Sequence, residues 1–204
     1  MEIKGELNMV NSNFLSCEKD TELILKKLFF DSGEASELLK RLLVITSKDC
    51  LDLENLEYKK IIDDISISDL WSKGYISIVP KIKAYENQNL QSYIILTYGN
   101  FTMNATNPQY RDNTITFDII CPTDYWDIGD CRVRPLKIAG YIDAILNDKK
   151  LTGIGTTQFL SCQQLVLDEN FSGYSLTYSV IHGSDDRLPE GGGVIDMLKE
   201  KEGK

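Results

Sequence analysis

The sequence predicts an α+β fold: a mainly antiparallel sheet with one long helix packed across it, preceded by a small N-terminal helical hairpin. Three observations carry this. Between Asp20 and Leu43 the apolar residues recur at helical spacing, from Tyr75 the period falls to two, and between two strand-like runs the stretch 135–146 returns to helical spacing. Strands in succession with helices set apart from them are the pattern of a segregated α+β architecture.

The chain has 204 residues. It divides into an irregular N-terminal arm (1–18), one domain (19–183, helical over 19–70 and sheet plus helix over 75–183) and a flexible C-terminal tail (184–204). A domain of this length buries a sizeable core without disulfide or metal staples. Its 42% apolar and 26% charged residues are ordinary globular usage.

Asp20 is a candidate N-cap for a first helix that carries Leu23, Ile24, Lys27 and Leu28 on one side. Asp31-Ser32-Gly33 breaks it, and a second helix follows over Glu34–Leu43 with Ala35, Leu38, Leu39 and Leu42 at helical spacing. Residues 46–70, rich in Asp and Glu, read as a solvated surface segment with a short helix near Leu56–Ile62. From Tyr75, Ile76, Ile78 and Ile82 alternate with polar positions, and Pro80 demotes this strand to an edge or a bulge. Ser92–Tyr98, apolar on both faces, is expected to be a central strand. Gly99–Asn113, rich in Asn and Thr, reads as a loop or an arm that reaches a neighbour.

The next strand places Ile115, Phe117, Ile119 and Cys121 toward the core and ends at Pro122. A linker, 123–133, leads to the best-patterned helix of the chain. There Pro135 lies near the first helical position and Ile138, Tyr141, Ile142, Ile145 and Leu146 form a single stripe. A strand over Thr156–Leu167, a turn at Asp168-Glu169-Asn170 and a last strand with Tyr174, Leu176, Tyr178 and Val180 on one face complete the domain. In the polar tail after Gly183, residues 194–198 could form a short helix on a partner.

The net charge of −9 argues against a nucleic-acid backbone as the main partner, since such binding rests on Lys and Arg displacing counterions. The five cysteines, Cys17, Cys50, Cys121, Cys131 and Cys162, are odd in number and form no CxxC pair, as expected of reduced thiols. With one histidine and scattered cysteines, no zinc site is expected. No apolar run is long enough to span a membrane. The N-terminus lacks a signal-peptide core, so the Asn-x-Ser/Thr matches at Asn100, Asn104 and Asn170 are read as chance.

Candidates for chemistry are few. His182 is the single imidazole and lies at a strand end with no partner set for nucleophilic catalysis. Asp118, Asp124, Asp127 and Asp130 could hold a divalent ion or do acid–base work, but their spacing matches no ordered oxygen-ligand pattern. Gly153 and Gly155 follow a helix and precede a strand, the reverse of a dinucleotide fingerprint. Tyr125 and Trp126 are either an interface anchor or the plug that seats the linker on the core. No catalytic residue, cofactor or metal is expected.

The run from Thr114 to His182 resembles a family of tailed-bacteriophage neck and tail-completion proteins. The resemblance rests on Asp118–Cys121, the aromatic pair Tyr125-Trp126, the helix start Arg134-Pro135, Gly153 and Gly155 before a strand, and Phe171–His182. It covers about seventy residues, and the N-terminal third matches only in the order of its elements. It implies a virion structural protein at the head–tail junction, made in the bacterial host cytoplasm. The role implied first is a tail terminator: a homo-oligomer ring, hexameric in proteins of this kind, that caps the tail-tube protein and docks to the head connector. DNA would pass through its lumen without specific binding. A head-closure or adaptor ring protein, a tail-tube or baseplate component, and a small cytoplasmic enzyme using the four aspartates are the alternatives.

Overall fold

A computed structural model describes residues 17–78, 90–106, 110–151 and 155–183. The element order is α1 (Cys17–Phe29), α2 (Glu34–Val44), α3 (Leu56–Asp63), α4 (Ile67–Ser72), β1 (Ile76–Ser77), β2 (Tyr93–Met103), β3 (Tyr110–Pro122), α5 (Arg134–Leu146), β4 (Lys150–Leu151), β5 (Gly155–Thr156), β6 (Gln158–Val166) and β7 (Phe171–Gly183). The fold is the α+β architecture read from the sequence.

Five strands form one sheet in the order β1-β2-β3-β7-β6, antiparallel throughout except that β1 runs parallel to β2. Because β3 and β6 are each antiparallel to β7, they run in the same direction, and α5 is the crossover between them. One face of the sheet presents Ile94, Leu96, Ile115, Phe117, Ile119, Cys121, Leu176, Tyr178 and Val180. These pack with Ile24, Leu28, Leu39, Leu42, Ile138, Ile142 and Leu146 of α1, α2 and α5 into one continuous core. The α5 stripe is the predicted one, with Tyr141 at its half-buried margin. The result is two layers, helices on one face of a sheet.

Several elements differ from expectation. Asp20 does not cap α1: the helix is already formed at Cys17, where the Thr21 hydroxyl donates to the Cys17 carbonyl at 2.7 Å, and Asp20 is buried within it. The segment 46–70 holds two helices rather than one. It sends Cys50, Ile62, Ile65 and Leu70 inside and leaves its carboxylates in solvent. Gly99–Asn113 is not an arm. β2 continues to Met103 and β3 begins at Tyr110, so most of it is the distal half of a hairpin, with a register shift between Gly99 and Thr102. Asn100, Thr102 and Asn113, read as loop formers, occupy strand positions, which threonine in particular suits well. The strand expected over Thr156–Leu167 is broken at Thr157, which is buried and donates its hydroxyl to the Leu146 carbonyl at the end of α5. β1 is an edge strand, as Pro80 implied; Pro80, Ile82, Gly153, residues 1–16 of the N-terminal arm and the C-terminal tail lie outside the described residues.

Gly173 fixes how closely β3 and β7 approach. A Cβ there would lie 1.7 Å from the Ile119 carbonyl oxygen, so only glycine fits at this register position.

Candidate functional site

The linker between β3 and α5 is built on a buried cation. Arg134 is the first residue of α5 and is 1% exposed. Its Nε donates to the Tyr125 carbonyl at 2.8 Å. Nη1 donates to the carbonyls of Leu42 and Ile45 at 2.8 and 2.7 Å, and Nη2 to those of Thr46 and Ser47 at 3.0 and 2.8 Å. The last carbonyls of a helix have no intrahelical partner, and the guanidinium satisfies that of Leu42 in the last turn of α2 and three in the segment just past it while holding the linker. Cys50 and Cys121 lie in this neighbourhood. Burial pushes both thiols up, Cys121 to about 12, and the nearby Arg134 only partly offsets it. Such thiols stay protonated and inert.

Above this base the linker folds into a short 3-10 turn, Thr123–Tyr125, followed by Trp126. Trp126 packs against the core, lies at 6.3 Å from the Tyr174 ring and donates its Nε1 to the Cys121 carbonyl at 3.4 Å. It seats the linker on the core, one of the two roles open to it. Asp127 bridges back to Val133, Ile128 is buried, and the tip Gly129-Asp130-Cys131 turns with φ of 78°, 50° and 59°. Glycine adopts such angles freely and aspartate tolerates them. The tip is therefore an exposed knuckle on a fixed base.

The four aspartates do not converge. Asp118 lies on the sheet face away from the helices and accepts from the Ser175 hydroxyl at 2.6 Å. Asp127 pairs with Lys48 at 2.5 Å, which together with the Gly129 N–H holds its carboxyl below the usual range. Asp130 pairs with Arg132 at 2.5 Å, and Asp124 is exposed within the turn. Among the described residues no group of three or more His, Cys, Asp or Glu is placed to hold a metal ion. The His182 backbone lies opposite Arg111 at the far end of the β3–β7 ladder. Gly155 takes a φ of 75°, where it passes within close reach of Ile181.

The sheet face away from the helices divides in two. At one end Tyr93, Ile95, Ile120 and Phe171 form a small apolar cluster, with Leu165 against it. The rest is a ladder of half-exposed hydroxyls in which Thr97 stands opposite Thr116, and Thr116 opposite Thr177 with the two hydroxyls 3.2 Å apart. Next to it Ser161 opposes Thr177 and Gln163 opposes Ser175 on β6. Small polar side chains of this kind make a flat surface with many donors and acceptors, and Asp118 and Ser175 belong to the same face.

Sequence reasoning missed Arg134 as a structural centre and read it only as part of a helix start. The available signal was electrostatic: an arginine at a helix N-terminus opposes the macrodipole and needs another reason to be there. It also missed the exposure of β6.

A family model described as YomW matches residues 36–180 of the chain. No curated protein matches it. Among the described residues no helix is long and apolar enough to cross a membrane.

Proposed function

The chain belongs to the YomW family, whose name is phage-derived and of the Bacillus-phage type, and on that premise we propose that it is a virion structural protein of the phage neck, a tail terminator. In this role it forms a homo-oligomeric ring, hexameric in the simplest case, that caps the tail tube and docks to the head connector. The observation that carries the reading is one of overlap. The matched residues, 36–180, contain nearly all of the Thr114–His182 run that resembles neck proteins, and this run is one contiguous unit of β3, the seated linker, α5 and the β6–β7 hairpin. A half-exposed, hydroxyl-rich sheet face that the described helices leave free and a protruding knuckle support it, because ring subunits use fixed, exposed surfaces in head-to-tail contact. The acidic charge suits a lumen that lets DNA pass without gripping it.

The test is direct. Purified protein is imaged by negative-stain electron microscopy and then added to a tail-tube protein during its polymerisation. Rings, and tubes that stop growing where a ring sits at one end, are expected. A chain that forms no ring and leaves tube length unchanged removes the reading.

A further inference from the structure

The helical layer stops short of β6. On β7, Leu176 and Tyr178 are buried beneath α5, whereas Cys162 and Phe159, which pair with them on β6, are exposed. Gln164 and Val166, paired with Tyr174 and Ser172 on the same face, are exposed too. No residue of β6 belongs to the core under the helices. α5 walls the other side of this strip. Its Asp143 accepts from the Tyr178 hydroxyl at 2.9 Å. Burial first and then the Asp143 charge raise the Cys162 thiol, so the carboxylate stands beside β6. Leu136 lies about two turns before Asp143 and so on the same side of α5. Between them Gly140 has no side chain, and a Cβ added there would meet nothing within 4 Å. α5 and β6 thus border an open groove, along which Leu136, Phe159 and Val166 expose 46%, 45% and 69% of their surface.

Where the remaining stretches of chain join the fold decides which of them reaches this groove. Residues 1–16 lead into α1, whose Thr21 hydroxyl lies 3.1 Å from that of Tyr98 on β2, and 79–89 join β1 to β2 at the opposite edge of the sheet. Residues 107–109 and 152–154 are short connections. Residues 184–204 leave the sheet beside β6: β7 ends at Gly183, and its Ser179 pairs with Gln158, the first residue of β6. The stretch 184–193 spans at most about 33–36 Å, and β6 itself is about 30 Å long, so residues 194–198 have the whole groove within reach. Among them Val194, Ile195, Met197 and Leu198 are apolar, and Lys199, next in the chain, is opposite in charge to Asp143. We propose that residues 194–198 dock in this groove of their own chain, their apolar side chains against Leu136, Phe159 and Val166. The contact removes exposed apolar surface from water and extends the helix-side layer over β6. It does not rest on the neck reading.

Cys162 lies on the groove floor and reports whether it is covered. The full chain carrying Cys17→Ser and Cys131→Ser keeps Cys162 together with the buried Cys50 and Cys121. In that chain, adding Ile195→Asn and Leu198→Asn is expected to speed alkylation of Cys162 by N-ethylmaleimide at least about tenfold, because a docked segment admits the reagent only when it opens. Both substitutions lie outside the sheet and its core, and unchanged far-UV circular dichroism is expected. In the same background Met197→Cys is expected to give, with a short bis-maleimide, a cross-link to Cys162 within one chain, lost when Ile195→Asn and Leu198→Asn are added. An alkylation rate indifferent to the two asparagine substitutions overturns the proposal, as does a cross-link that survives them. A cross-link found only between two chains overturns it as well, since the segment would then sit on a neighbour.

Discussion

Arg134 shows how much one side chain can organise. Five backbone carbonyls from two segments far apart in sequence converge on it, and no carboxylate pairs with it among the described residues. Arg134→Ala orphans those acceptors where water is excluded. At about 1–3 kcal/mol for each buried group left unsatisfied, with partial relaxation, a loss of about 3–5 kcal/mol is expected in urea denaturation. Arg134→Lys keeps the charge but not the planar fork, so it should recover less than half of that loss. Equal stability of the lysine variant and the parent would show that charge, rather than geometry, is what the site uses. The other interior cations work differently. Arg41 is fully buried but reaches Glu37 at 2.8 Å, and Lys40 donates to the Ile62 carbonyl while lying 4.8 Å from the centre of the Phe30 ring.

At the scale of elements, local chemistry accounts for the short helices better than apolar pattern does. α3 begins at Asn55, whose Oδ1 accepts from the N–H groups of Glu57 and Tyr58 at 3.1 and 3.2 Å. α4 carries a full capping box between Ser66 and Asp69. Asn55→Ala is expected to cost about 1 kcal/mol, read as a lower urea midpoint with unchanged slope. No loss of stability would mean that tertiary packing of Ile62 alone holds α3. Both caps are visible in the sequence. They are easily passed over because the Asp and Glu residues dominate the pattern of 46–70, and the apolar residues that matter, Cys50, Ile65 and Leu70, are spaced by tertiary position rather than by helical period. The long strands were legible for the opposite reason. Ile115, Phe117, Ile119 and Cys121 alternate without interruption, and the sheet buries that face.

For the molecule as a whole, the alkaline limit of stability follows from its buried acids. Burial raises Tyr93, Tyr98 and Tyr178 above the ordinary phenol value of 10.0 and Cys121 above the thiol value of 9.0. Each group stays protonated in the fold and ionises more readily in the unfolded chain. Its contribution is therefore complete below the unfolded value and lost as pH rises toward the folded one. Lys40, lowered chiefly by burial, acts in the opposite sense below 10.5 but is a single group. Stability should be flat near neutrality and fall steeply from about pH 9 upward. The Tyr93 hydroxyl has no hydrogen-bond partner among the described residues, so Tyr93→Phe should be neutral at pH 7 and less sensitive at pH 10 in thermal melts. A variant that loses stability at pH 7 would contradict this.

The sequence by itself determined the fold class, the α5 stripe, the core faces of β3 and β7, the turn at Asp168 that joins the last two strands, and the family likeness of residues 114–182. These depend on periodicity or turn chemistry along a single stretch of chain. Tertiary structure alone decided that Gly99–Asn113 is hairpin rather than arm, that Arg134 is buried, that the four aspartates do not converge, and that β6 is left at an edge. Each of those outcomes depends on which segments meet across the fold. Sheet order and the burial of a polar group are fixed by neighbours distant in sequence, which no local pattern encodes.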